Sequence, residues 1–450
     1  MVNKAIWFLL LLVLGIPQGA QAQEGSCLVL KGGNLVVSPG KVLVGATLVA
    51  RDGIVVEIGK KVHIPWDAKV LDCRGLWIYP GFVHIAARTG LRGSGNPNLK
   101  PAKVLDPDPS LWKPYLKAGF TTVGVMGRGR GMTGEVAVLR PAGKTREEMV
   151  RIECAAAAFG AGGDGATARS VAKILEAGKK ELERRKKEAE AKAKAAAEAA
   201  KKKAASKPAS RPSKPEKKKS REKPAPRKPS PGPSPKPKTG PAPKPAKTAK
   251  APSKASRKPA PRKVPSMILL AADVMEGKIP AFVEVSGPTG FLYFQKALGA
   301  LRPPLLLFAD RPSRGEPPLS ILASKVKALG ASVVVPTGLA SLPFDQALDN
   351  PALDFARAGV EFILQPGEGR DVAGFRLRLV RLAKYGLNPA DVLAAITTRP
   401  ARWLGLAERI GTLEKGKNAD LVIFSGKFLD LKARLLRVVL EGETVYESKK

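Results

Sequence analysis

At Pro80 the sequence changes rhythm, and that change constrains its fold more than any other feature. From Cys27 to Gly59 apolar runs alternate with turn residues. Asn34 to Val37 leads into Ser38-Pro39-Gly40, and Ala46 to Ala50 leads into Arg51-Asp52-Gly53 and then Ile54 to Gly59. This spacing predicts short strands joined by hairpins. Val70 to Ile78 extends the pattern and delivers the chain to Pro80. Beyond it, buried-strand signals at Phe120 to Val125, Ala281 to Val285, Pro304 to Phe308, Ser332 to Val335 and Val360 to Leu364 alternate with periodic helices. Strand and helix in alternation imply a parallel α/β sheet or barrel.

A low-complexity block interrupts this series. Val171 to about Lys203 is rich in Ala, Lys and Glu, which suits an exposed helix that lacks an apolar stripe for docking. Ser206 to Pro265 is built of Lys, Pro, Ala and Ser, with no aromatic residue. Such a segment buries too little surface to offset its chain entropy, so disorder with polyproline II character is expected. Between Lys179 and Lys263 stand 31 Lys and Arg against 7 Asp and Glu, so +24 of the net +38 lies in 85 of 450 residues. The charge therefore belongs to the insertion rather than to the folded body. It suits an anionic envelope polymer or an acidic partner, or a solvated surface insertion. Specific nucleic-acid recognition is not expected, because scattered Lys without stacking aromatics binds in a salt-sensitive, sequence-blind way.

The amino terminus reads as a secretory signal: Lys4, an apolar run from Ala5 to Ile16, and the small-x-small site Ala20-Gln21-Ala22. Cleavage near Ala22 would give a secreted or periplasmic protein without a transmembrane anchor, the apolar run being shorter than the ~20 residues a bilayer requires. Three cysteines, Cys27, Cys73 and Cys154, are too few for a disulfide framework. A Cys27 to Cys73 bridge fits an oxidising compartment. Cys154, inside an Ala-rich run that reads as helix, is expected to be buried and inert.

Without the 22-residue signal and the 85-residue insertion, 343 residues remain. A β-rich subdomain drawn from both ends leaves roughly 230, close to the ~250 of a (β/α)8 barrel. The expected fold is α/β, a TIM-like (β/α)8 barrel with a composite small β-sandwich and a long Lys/Pro-rich insertion. The division is 1–22 signal, 23–79 first part of the sandwich, 80–170 first part of the barrel, 171–265 insertion, 266–405 rest of the barrel and 406–450 last part of the sandwich.

Motifs at both ends carry a resemblance. Pro80-Gly81-Phe82-Val83-His84-Ile85-Ala86-Ala87-Arg88 resembles the P-G-[FL]-[IV]-D-x-H-x-H strand of the amidohydrolase superfamily. Gly386 to Thr397 resembles its G-[LM]-[ST]-P-x-E-A-L-x-x-A-T helix. Arg409-Ile410-Gly411-Thr412-Leu413 through Lys415-Gly416-Lys417-Asn418-Ala419-Asp420-Leu421 resembles its R-I-G-[ST]-[LI]-x-x-G-K-x-A-D-L return to the small sheet. Imidazolonepropionase-like and dihydroorotase-like members are the nearest in pattern. The resemblance implies a barrel holding one or two divalent ions, such as zinc, whose bound hydroxide attacks C–N bonds other than peptide bonds.

Residue by residue, the same resemblance removes the ligands. The Asp position falls on His84, the two metal-binding His on Ala86 and Arg88, and a third His on Glu284. A further His falls near Phe308 or Ala309, and the late Asp near Pro366. The whole chain has two His, and His63 falls in the amino-terminal β-region as a surface or edge residue. No metal is therefore expected, although His84, Glu284, Asp310 and Glu368 form a conceivable replacement set. Against that set, Arg88 brings a permanent cation, which an ion pair with Glu284 or Asp310 would neutralise in the vacated site. Arg88, Arg128, Arg130, Asp310 and Glu368 are the ligand-binding candidates. Arg128 and Arg130 lie in Gly127-Arg128-Gly129-Arg130-Gly131, which reads either as an anion cradle or as a mobile loop. Neither a phosphate-binding G-x-x-x-x-G-K-[ST] loop nor a G-x-S-x-G elbow occurs. The expected protein is an exported pseudoenzyme that binds a ligand or supports a partner, a paired homologous amidohydrolase included. The alternatives are an active C–N hydrolase with an unconventional site and a cationic envelope scaffold.

Overall fold

The computed structural model describes residues 26–91, 96, 98–205, 264–309, 317–341, 348–368 and 370–448. The expected amino-terminal signal, Asp310 and the Lys/Pro-rich stretch 206–263 lie outside the described residues. Both ends of the chain build one sheet, in the order Glu443–Glu447, Leu435–Leu440, Leu421–Phe424, Trp77–Pro80, Cys27–Ser38, Lys41–Arg51 and Ile54–Gly59, with Lys69–Asp72 pairing alongside Cys27–Ser38. Its alternating apolar positions, among them Leu28, Leu30, Leu48, Leu421 and Ile423, bury a core of their own. Lys69–Asp72 runs parallel to Leu28–Lys31, so Cys73 falls about five residues along the sheet from Cys27, roughly 16 Å at strand spacing. A disulfide needs Cα atoms within about 7 Å, so a bridge between them is ruled out and both thiols are free.

The second sheet is the barrel. Its eight strands, first to eighth, are Phe82–Ala87, Phe120–Met126, Gly131–Leu139, Val150–Gly162, Ala281–Val285, Leu305–Ala309, Ser332–Pro336 and Phe362–Gln365, each beside the next in sequence order. Val83 and Ile85 of the first strand, Val136 and Val138 of the third, Phe282 of the fifth and Leu306 of the sixth fill the interior. The barrel is nearly closed. Among the described residues no ladder joins the eighth strand to the first; the helix Thr398–Trp403 packs against both, and its Ala401 joins the interior cluster.

Most neighbours are parallel, as expected, but the third strand runs antiparallel to the second and the fourth. The turn Gly127 to Arg130 makes that reversal without a helix. The fourth strand also corrects a reading: the Ala-rich run Ala155 to Ala158 is strand, not helix. Ala favours helix intrinsically, but small side chains are what the crowded barrel wall accepts at this point. Cys154 is half-buried there, and burial pushes its thiol up to about 12.

The helix after the fourth strand also differs from expectation. It spans Gly165–Ala205, and Ala168, Val171, Ala172, Leu175 and Leu182 of its first turns are buried. That stripe, at spacings of three and four, was hidden in the sequence by its small residues. The chain up to Arg185 belongs to the barrel's compact unit, and a second unit begins at Lys186.

The passage from small sheet to barrel explains Pro80-Gly81. Trp77–Pro80 pairs with Leu421–Phe424, the Gly81 amide donates to the Asp420 carbonyl at 2.9 Å, and the barrel begins at Phe82. A Cβ on Gly81 would lie 2.1 Å from Thr121 Oγ1, so the close approach requires glycine. Farther on, Asn388 caps the helix Pro389–Ile396 by accepting from the Ala390 amide at 2.9 Å.

Candidate functional site

The first barrel strand decides which of its residues reach the mouth. Strict alternation places Phe82 and His84 outside and Val83 and Ile85 inside. An irregularity between His84 and Ala87 then resets the pattern, so that Ala86 joins the interior and Arg88 leaves the strand toward the mouth. His84 therefore does not line the site, which corrects its place in the replacement set. Its ring packs outside the barrel, 5.6 Å from Tyr115 and 5.4 Å from Phe120 between centroids. Both ring nitrogens are buried with no partner among the described residues. Burial pushes the imidazole down to about 3, so it is neutral.

Across the barrel, Glu284 sits one residue before the end of the fifth strand. Arg88 Nη2 donates to Glu284 Oε1 at 2.6 Å, and Nη1 lies 4.0 Å from Glu368 Oε1. The arginine and Glu284 side chains are only 21% and 18% exposed, so this is a largely desolvated pair. Around it opens a cavity of about 320 Å³ whose polar lining is Arg88, Arg128, Glu284, Gln365, Glu368 and Asp371. Phe308, Val334 and Pro366 supply apolar wall. Arg88 Nε and Gln365 Oε1 are buried there without partners among the described residues.

The Gly127–Gly131 turn is held close against the fourth strand, where a Cβ on Gly160 would come within 1.9 Å of the Gly129 carbonyl. It presents exposed Arg128 to the cavity, but Arg130 is not part of the lining. Arg130 lies instead near Asp164, whose carboxyl is lowered first by hydrogen bonds from Thr167 and, to a smaller extent, by that guanidinium. Of the sequence candidates, the fold thus gathers Arg88, Arg128, Glu284 and Glu368. It leaves out His84 and Arg130. Gln365 and Asp371 were not singled out; the signal for Gln365 was its position at the carboxyl end of a barrel strand, where such folds build sites.

Apart from His84, the positions that the resemblance assigns to metal ligands converge. Arg88, Glu284, Phe308, Ala309 and Pro366 all line this cavity, and Ala86 lies just beneath in the interior. Their chemistry does not fit a divalent ion. Ala86, Phe308 and Pro366 offer no donor, Arg88 is a fixed cation, and Glu284 is committed to it. Among the described residues no group of three or more His, Cys, Asp or Glu is placed to hold a metal.

Comparison with known proteins gives consistent relatives. The model of the amidohydrolase family matches residues 362–445. A dihydroorotase of Anaeromyxobacter dehalogenans is 43% identical over 58 residues, 13% of this chain and 13% of that protein. An imidazolonepropionase of Thermoplasma acidophilum is 52% identical over 44 residues, 10% of this chain and 11% of that one. These alignments thus span only a small part of either relative. The crystal structure of an amidohydrolase from Thermotoga maritima superposes with a TM-score of 0.65 at 18% identity, covering 94% of this chain and 100% of that one, a likeness of fold.

Proposed function

We propose, for a chain that belongs to the amidohydrolase superfamily, that this member is a pseudoenzyme whose barrel mouth serves ligand binding or support of a partner rather than metal-dependent C–N hydrolysis. The supporting observation is the Arg88–Glu284 pair at 2.6 Å. It puts a permanent positive charge and its counter-ion where the superfamily concentrates metal ligands. A divalent ion beside Arg88 would meet like charge in a poorly solvated site, and taking Glu284 for the ion would leave the guanidinium unpaired.

The decisive test is metal content. Protein purified without chelator, incubated with zinc or manganese and desalted, is expected to retain far less than one ion per chain. Stoichiometric metal that Glu284→Gln removes would sink the reading and restore the hydrolase alternative.

The accompanying readings concern place and partners. We propose export after cleavage near Ala22, attraction of anionic envelope polymer by the basic insertion, and pairing with a catalytically intact homologue. The first predicts a mature amino terminus at Gln23 by sequencing of the exported protein. The last predicts co-purification with such a homologue, and recovery as a lone monomer under native conditions counts against it.

A further inference from the structure

Trp66 is 94% exposed, whereas Trp112 is 1% exposed and Trp77 and Trp403 are partly buried. A large indole left almost wholly in water departs from the usual high burial of Trp, an amphipathic ring enriched at protein and membrane interfaces. Here it is not carried on a loose loop. Val62, Ile64 and Ala68 of the same connection pack onto Cys27, Val29 and Val49 of the sheet beneath. Directly after the indole, Asp67 accepts from Arg51 Nη1 at 3.0 Å and from Nη2 at 3.2 Å. The segment is therefore clamped from below and at its side, and the clamp turns Trp66 outward.

Basic residues flank the indole along the chain. Lys60, Lys61, His63 and Lys69 are exposed along the same connection, followed by Val70 at 45% exposure. Of the nearby acids, Asp67 is taken by Arg51 and Asp72 by Arg74 at 2.5 Å, which leaves exposed Glu57 on the adjoining strand and exposed Asp52 in the turn beside Arg51. The three lysines have no ion-pair partner among the described residues. The chain enters this region at Ser26, whose carbonyl accepts from the Asp52 amide at 2.9 Å.

We propose that Trp66 with Lys60, Lys61 and Lys69 forms a docking site for an anionic lipid surface. An indole placed at the headgroup level suits both its apolar ring and its polar N–H, and lysines beside it meet the lipid phosphates. A protruding ring favours insertion over sugar stacking, which needs a platform with hydrogen-bonding groups around it. This site stands apart from the barrel mouth and holds whether or not the mouth carries a metal.

The test uses the full chain and vesicles of equal phosphatidylglycerol and phosphatidylcholine, some with bromine-labelled acyl chains. Because the basic insertion itself attracts anionic vesicles, the readout is the Trp66 component of the emission, taken as wild type minus Trp66→Ala. That component is expected to shift to the blue and to be quenched by bromine. In 0.5 M salt, where charge attraction is screened, Trp66→Ala is expected to weaken vesicle affinity roughly tenfold, the effect of partly burying an indole. The triple variant Lys60→Gln, Lys61→Gln and Lys69→Gln should lose quenching at 0.1 M salt. All variants should keep the wild-type Tm, since the altered side chains are exposed. Vesicle binding that leaves the Trp66 component unquenched overturns the proposal, as does no binding at all. A shift with an uncharged glycan and none with vesicles overturns it in favour of a sugar platform.

Discussion

Arg88 and Glu284 depend on each other. Removing one partner leaves a charge that the site solvates poorly, so Arg88→Ala is expected to destabilise the fold by roughly 1–3 kcal/mol, less than for a fully buried pair. The double variant Arg88→Met, Glu284→Leu should recover most of that loss, as urea unfolding of the two would show. His84 makes the opposite prediction, because no group among the described residues hydrogen-bonds its ring. Its imidazole titrates near 6.5 when unfolded and at about 3 when folded, so protons bind preferentially to the unfolded chain between those values. Its favourable contribution is complete above about pH 6.5 and is lost as pH falls toward 3. Asp420 acts in the other direction: burial raises its carboxyl to about 6, so its contribution is present below about pH 4 and lost as pH rises through 6. His84→Leu should therefore match or exceed wild type at pH 7, and its advantage in Tm should widen as pH falls from 6.5 toward 3. A constant difference across that range would show that the ring is not buried as a neutral group.

At the scale of elements, two glycines give contrasting expectations. Gly160 in the fourth barrel strand has the Gly129 carbonyl where a Cβ would go, whereas Gly338 has open space and needs no unusual backbone angle. Gly160→Ala is expected to cost about 1–3 kcal/mol and to displace the turn carrying Arg128, while Gly338→Ala stays within about 0.5 kcal/mol of wild type by urea titration. Six of the eight barrel strands were legible because apolar runs bounded by turn residues mark them, whereas Gly131–Leu139 was not marked out, and Arg88 and Glu284 were legible because a motif gave both positions. The separation of His84 from Ala86 and Arg88 was not, since an irregularity after His84 breaks the alternation that would have kept the three on one face. The Ala-rich fourth strand and the docked face of Gly165–Ala205 were missed for a shared reason. Alanine packs as readily into a barrel wall or a helix contact as it sits in a solvated helix, so its presence alone does not mark burial.

At the scale of the molecule, the sequence already divided folded body from insertion, though the division falls later than its charge suggested. Residues 179–185 belong to the barrel unit, with Arg185 Nη1 donating to Asp273 Oδ1 at 3.0 Å. Excision of 206–263 is therefore expected to change stability by under about 1 kcal/mol, because loop closure depends only weakly on length. The same excision should abolish salt-sensitive retention on an anionic polymer, measured by column elution. Between those chain ends the barrel must join two halves separated by a long stretch of sequence, and here the antiparallel third strand acquires a kinetic meaning. Phe120 to Gly162 can pair as a meander through two local turns, without waiting for any crossover helix or for the second half to arrive. Substitutions in that meander should slow refolding, while those in the seventh and eighth strands should mainly hasten unfolding, giving the chain an order of assembly that begins before its insertion is reached.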